Sequence, residues 1–202
     1  MTAARQLRLA ITGSIGMGKT TVAAMFEKAG VPVFDADAVV RDLQANDPEL
    51  IEAIGRRFVG SVVGGKLDRD ELSRQVLGFP DELQALEAIV HPAVQKTREH
   101  FIEQNSQAPA LLFDIPLLFE TGGQSAFDKL IVVSAPANVQ RLRVLARTGM
   151  SEAKLDAILA RQMPDSEKRG RADFIVETGT DLSTTEGEVR RILACLGLAT
   201  GG

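Results

Sequence analysis

The chain of 202 residues has one cysteine, two histidines and no apolar stretch that approaches the ~20 residues a membrane-spanning helix requires. A single thiol, Cys195, cannot form an intrachain disulfide, which fits a reducing cytosol. Its place in the stripe Ile192, Cys195, Leu196 of a C-terminal helical pattern predicts a buried structural thiol rather than a nucleophile. No H-x-x-x-H or paired-cysteine spacing occurs, so no zinc site is expected. There is also little excess of either charge. A net charge of −4 argues against a general nucleic-acid binder, and any anionic substrate must then be held by local basic clusters. The start, Met1 to Gln6, is too short and polar for a secretory signal. The expectation is a cytoplasmic protein that acts on small molecules, with neither a membrane nor a nucleic acid as partner; its oligomeric state is not legible.

What is present is ordinary in bulk and specific in one place. With 45% hydrophobic and 25% charged residues, the chain suits one α/β domain carrying an insert or lid. Near its start, Gly13, Ser14, Ile15, Gly16, Met17, Gly18, Lys19 and Thr20 fill every fixed place of the G-x-x-x-x-G-K-[ST] pattern. The run Leu7–Thr12 before it reads as a buried strand, and the run from Thr20 and Thr21 to Phe26 as an amphipathic helix. Glycines let successive N–H groups turn inward, and the helix N-terminus adds its partial positive charge to the same anion site. Lys19 would neutralise the β/γ-phosphates of ATP, and the Thr20 hydroxyl is the expected Mg²⁺ ligand.

The rest of the chain supplies a doubly wound sheet. Gly30–Phe34 leads to a second strand with Asp35-Ala36-Asp37 at its carboxyl edge, where ligands bind in open α/β sheets. The segment from about 38 to 108 reads as mostly helical, broken at Asn46-Asp47-Pro48, turning at Gly64-Gly65, restarting at Asp68 and interrupted again at His91-Pro92. It looks like an acceptor-holding insert. Strands resume at Ala110–Asp114 and Leu130–Ser134, whose unalternating apolar runs are those of strands covered on both faces. Helices at about 137–147 and 151–162, a strand at 173–176, and a helix from about 182 to 196 complete a parallel sheet of about five strands. The region of about 137–171 is expected to form a lid, and the tail Leu198 to Gly202 to be frayed.

Several side chains in this frame carry chemistry. One of Asp35 and Asp37 is a candidate general base; alternation along the segment sends them to opposite sides, so one faces the site while the other caps, and Asp37 is preferred. Asp114 is either a carboxylate that holds Mg²⁺ through water or a cap for the next turn. Pro116, Leu117 and Glu120 place an apolar surface and a carboxylate near the same cleft, or form a core-packed turn. Arg143 and Arg147 share a helix face, and Arg147 is the stronger candidate for an arginine that reaches over the γ-phosphate. Lys168, Arg169 and Arg171 read as a surface group unless the lid folds over them, and His91 as either a helix start or a substrate contact.

Taken in order, Thr12–Ala23, Asp35-Ala36-Asp37, Gly65–Arg69, His91-Pro92, Ile115–Glu120, Gln140 with Arg143 and Arg147, Gln162, and Ala172-Asp173 resemble the dephospho-CoA kinase family. The resemblance implies a P-loop kinase fold and transfer of the ATP γ-phosphoryl group to the ribose 3′-hydroxyl of dephospho-CoA. It also implies Asp37 as base, Lys19 and the loop on ATP, and Arg147 as a lid arginine. Arg69, His91 and the Pro116–Glu120 turn would lie on the acceptor side. Three departures stand out: Ser14 where glycine is usual, Thr20 where serine is common, and Thr178 where an asparagine often precedes the glycine. A P-loop kinase for a nucleoside monophosphate or shikimate is the nearest rival. A GTPase switch is excluded by the absence of Asn-Lys-x-Asp.

Overall fold

The computed structural model describes residues 5–198. In chain order the elements are β1 (Leu7–Thr12), α1 (Lys19–Lys28), β2 (Val33–Asp35), α2 (Ala36–Asn46), α3 (Pro48–Arg57), β3 (Val62–Val63), β4 (Lys66–Leu67), α4 (Arg69–Val76) and α5 (Pro80–Gln104). They continue with β5 (Ala110–Asp114), a 3₁₀ turn (Gly123–Ala126), β6 (Lys129–Ser134), α6 (Ala137–Leu145), α7 (Glu152–Leu159), α8 (Asp165–Gly170), β7 (Phe174–Glu177) and α9 (Leu182–Cys195). Contacts divide the chain into two compact units, one holding the residues up to Phe34 and from Asn105 onward, the other Asp35–Gln104.

The first unit is built on a five-stranded sheet in the order β2-β5-β1-β6-β7. Strand β1 pairs in parallel with β5 and β6, and β6 with β7. The chain goes to one side of β1 for β2 and β5 and to the other for β6 and β7, so the carboxyl end of β1 stands where the winding reverses. That crevice is where an open α/β sheet takes its ligand. Its core joins Leu9, Ile11, Leu112, Ile131 and Val133 of the strands to Val22 and Phe26 of α1 and Val189, Ile192 and Leu193 of α9.

In the second unit Leu50, Ile54, Phe58, Leu72, Val76 and Val90 form a separate core. Its helices start where the sequence predicts. Asp47 accepts N–H bonds from Glu49 and Leu50 ahead of Pro48, and Asp68 accepts from Asp70 and Glu71. The turn at Gly64-Gly65 joins β3 and β4 as a two-residue antiparallel hairpin, which sequence reading took for a plain break between helices.

Four expectations are corrected. Helix α5 runs through His91 and Pro92 without a break. Both residues are exposed, so the carbonyl that loses its partner to Pro92 can turn to water. Cys195 is exposed rather than buried. The buried face of α9 is centred on Val189, Ile192 and Leu193, and at about 100° per residue Cys195 falls on the flank of that stripe. Leu198 is not frayed: it packs on the core and its N–H donates to Leu193 O at 2.9 Å, while residues 199–202 of the expected tail lie outside the described residues. Helix α8 covers Asp165–Gly170, a segment in which sequence reading expected no helix and took Lys168 and Arg169, with Arg171 just after it, for a surface group. No helix among the described residues is long and apolar enough to cross a membrane.

Candidate active site

The phosphate loop leaves β1, turns through Gly13–Gly18 and enters α1 at Lys19. Gly18, with φ +86°, is the N-cap of α1 and has no side chain to occupy the first amides of the helix, which leaves them for an anion. Two glycines are sterically required. A Cβ on Gly13 would come 2.6 Å from Val133 O, and one on Gly16, which has φ +79°, would come 2.5 Å from Val144 Cγ2. Gly16→Ala combines left-handed strain with that overlap. It is expected to weaken ATP binding by at least about tenfold while the separate core of the insert stays folded, as checked by nucleotide titration beside circular dichroism.

Lys19 and Asp114 form an ion pair at the carboxyl edge of β1 and β5. The two side chains are nearly shut off from solvent, at 16% and 3% exposure, so each compensates the other's desolvation. Asp114 is therefore more than a turn cap: it faces the phosphate lysine. Thr20, one residue on, is exposed in the first turn of α1. A hydroxyl and a carboxylate at the phosphate edge suit Mg²⁺, which binds oxygen and keeps few protein ligands. Among the described residues no group of three or more His, Cys, Asp or Glu side chains could hold a metal by themselves, so Mg²⁺ would depend on phosphate oxygens for the rest of its shell.

Beside the loop lies a cavity of about 280 Å³ lined by Gly16, Gly18, Thr21, Arg143, Arg147, Thr178, Thr180, Leu182 and Thr185. The two arginines that shared a helical face in the sequence thus reach one cavity. Their roles there differ. Arg143 donates to Thr178 Oγ1 at 3.0 Å and to Thr178 O at 2.5 Å, and Thr178 Oγ1 donates on to Met17 O at 2.6 Å. Arg147 lies just beyond the end of α6 and is exposed, so it can move. Thr178 and Thr180, from the loop after β7, and Leu182 and Thr185, from the start of α9, were missed by sequence reading except for Thr178 as a departure from the family pattern. Their signal was positional, because they follow the carboxyl end of a strand in a doubly wound sheet.

The turn after β5 is packed more tightly than its sequence suggests. Leu118 and Phe119 are buried, Leu117 is 44% exposed, and Pro116 O accepts from Thr12 Oγ1 at 3.1 Å. Glu120 turns inward, where its Oε1 accepts the Met163 N–H at 2.8 Å and stands 2.8 Å from Lys168 Nζ. Lys168 is fully buried, contrary to the surface reading, while Arg169 pairs with Glu177 and Arg171 lies over the Phe119 ring. Burial pushes the Glu120 carboxyl up, but the bonds from Lys168 and the Met163 N–H outweigh it and hold the group below the ordinary carboxylate value. A depressed carboxyl contributes stability that is complete above its unfolded value of 4.5 and lost as pH falls through its lower folded value. Melting temperatures taken from about pH 6 to about pH 3.5 should therefore fall less steeply in Glu120→Gln than in the parent protein.

In the insert, Asp35 and Asp37 divide their work at the start of α2. Asp35 is the N-cap, its Oδ1 accepting the Ala38 N–H at 2.8 Å, and Asp37 is exposed in the first turn. The segment bends into a helix after Asp35, so capping rather than strand alternation separates the pair. Arg69 opens α4, is exposed, and donates to Arg41 O of α2 at 2.8 Å, beside the helix that carries Asp37. His91 lies inside α5 and is exposed, which removes the helix-start reading. An open groove of about 650 Å³ runs between α2, α3 and α5, with Leu43, Leu50, Ala53, Ile89 and Ala93 on its apolar walls.

A family model described as dephospho-CoA kinase matches residues 7–184. The chain belongs to that family. The dephospho-CoA kinase of Rhodopseudomonas palustris is 49% identical over 189 residues, covering 93% of this chain and 94% of the relative. That of Novosphingobium aromaticivorans is 48% identical over 192 residues, covering 95% and 96%. Among solved structures, a Thermus thermophilus protein superposes with a TM-score of 0.84 at 37% identity over 96% of this chain and 100% of that one. A dephospho-CoA kinase from Campylobacter jejuni gives 0.64 at 22% identity over 95% and 97%, which speaks for the fold.

Proposed function

We propose that this protein transfers the γ-phosphoryl group of Mg·ATP to the ribose 3′-hydroxyl of dephospho-CoA, giving CoA and ADP in the cytoplasm. The observation that carries the reading is the Lys19–Asp114 pair at the mouth of the phosphate loop, in a chain whose family is dephospho-CoA kinase. Phosphoryl transfer asks for positioning and charge neutralisation more than for covalent chemistry, and that is what these residues offer. The loop amides and Lys19 take the β- and γ-phosphates. Thr20 and Asp114 would hold Mg²⁺, which would supply positive charge to offset that of the phosphates. With ATP bound, Lys19 would pair with phosphate oxygens in place of its carboxylate, which would leave Asp114 available to hold Mg²⁺. The cavity bounded by Arg143 and Thr178–Thr185 takes the nucleoside, with Arg143 held rigid by Thr178 and Arg147 free to neutralise charge on the transferring group.

On the acceptor side, Asp37 accepts the 3′-hydroxyl proton as that oxygen attacks, and Arg69 and His91 bind the acceptor's anionic groups. Pro116 and Leu117 offer it an apolar edge. The apolar groove supports the insert as a binding unit, its volume being of the size that small-molecule sites have. An ADP-release assay with dephospho-CoA, AMP, adenosine and shikimate, with products identified by mass, tests the whole reading. Selective turnover of dephospho-CoA with one phosphate added at the 3′ position is expected; preference for AMP or shikimate would overturn the acceptor assignment and leave the ATP site standing.

A further inference from the structure

The phosphate loop is gripped from behind by groups that phosphoryl transfer does not consume. Ile15 is held on both sides: its N–H, in the peptide from Ser14, donates to Gln162 Oε1 at 3.1 Å, and its carbonyl, in the peptide to Gly16, accepts from Gln140 Nε2 at 2.8 Å. Gln140 is a buried residue of α6, and Gln162 lies in the segment that returns from α7 to α8. The next residue along that segment, Met163, donates its N–H to Glu120 Oε1, the oxygen that also meets Lys168 Nζ. A carboxylate from the turn after β5 and a buried lysine of α8 therefore fix the backbone beside the glutamine that holds the loop.

Such a grip matters because of what the loop is made of. Gly13, Gly16 and Gly18 leave its backbone with more freedom to lose on ligand binding than side-chain-bearing residues at those positions would. An anion site built from backbone N–H groups works only when those peptides already point the right way. One hydrogen bond on each of the two peptides that flank Ile15, from side chains remote from the loop in sequence, supplies that orientation before ATP arrives. The fully buried Lys168 has a reason to be there as well, since it would be costly without Glu120 and its presence keeps Glu120 turned inward.

We propose that Gln162 and Gln140 are positioning residues for ATP, and that the buried Glu120–Lys168 pair sets Gln162 in place. The inference rests on the reading of the loop as an ATP site, and moves Glu120 from the acceptor to the nucleotide side of the reaction. ATP affinity then depends on the segment through which the lid returns, and acceptor affinity does not.

Gln162→Met and Gln140→Met keep length and volume while removing one hydrogen bond each, and Gln162 is only half-buried, so its variant folds. ATP binding is measured by calorimetric titration without acceptor, at a temperature well below melting, and the KM of dephospho-CoA is measured separately. Each variant, and Glu120→Gln, is expected to raise the ATP Kd about three- to tenfold and to leave the acceptor KM within about twofold. A general loss of stability would not produce that split. Unchanged ATP Kd in both glutamine variants would overturn the positioning role, and a rise in acceptor KM alone in Glu120→Gln would return Glu120 to the acceptor. If the unsubstituted protein itself bound no ATP, the reading of the loop would fall, and the inference with it.

Discussion

Lys19→Ala is expected to lower kcat/KM for ATP by about 10²- to 10³-fold, the scale on which removal of one well-placed charge donor acts in a water-poor site. Lys19 is the cation at the mouth of the loop, and in the function proposed above it is the group that meets the β/γ-oxygens. Its removal has a second consequence that the ion pair makes specific. Asp114 is 2% exposed, and without Lys19 its carboxylate is left buried with the pair broken. Breaking a buried pair by removing one partner is destabilising, so Lys19→Ala should also melt at a lower temperature. Lys19→Ala combined with Asp114→Asn should recover part of the melting temperature and none of the turnover. Steady-state kinetics beside thermal melts check both, and turnover within threefold of the parent would remove Lys19 from the reaction.

Asp37→Asn is expected to reduce kcat by about 10²- to 10⁴-fold, the range typical for loss of a general base, with ATP affinity unchanged within about twofold. The control is its neighbour. Asp35 spends its carboxylate on the α2 N-cap, so Asp35→Ala should cost about 1 kcal/mol of stability and leave kcat close to that of the parent. If the two variants exchanged these phenotypes, Asp35 would be the base. Full turnover in Asp37→Asn would mean that acceptor deprotonation needs no carboxylate from this helix.

How much of this was legible beforehand differs from residue to residue. The loop and its flanking strand and helix were read in place, because the pattern is local and each residue has one mechanical purpose. The starts of α3 and α4 were read from Asp47-Pro48 and Asp68 for the same reason. Proline at 92 was misread because its effect depends on which way the broken carbonyl faces, and that is decided by burial rather than by sequence. Cys195 was misread because a three-residue stripe does not define where a buried face is centred. The short hairpin β3–β4 carries too few residues to show strand periodicity.

The candidate site divides along the same line. Arg143 and Arg147 could be put on one helix face, yet only the folded chain shows Arg143 anchored on Thr178. Glu120 was recognised as unusual, but its inward turn and its lysine could not be foreseen. Helix α8 is six residues long, too short for an amphipathic pattern, and the partner of Lys168 comes from another part of the chain.

The sequence by itself determined the fold class, the phosphate loop, the family and the residue types available for chemistry, since these follow from spacing and local backbone preference. Only the tertiary structure decided which charges face one another: Lys19 with Asp114, Glu120 with Lys168, and the two glutamines on Ile15. Those pairings form when strands and helices remote in sequence converge at one sheet edge, and the free energy of a charge depends on that surrounding rather than on its neighbours along the chain.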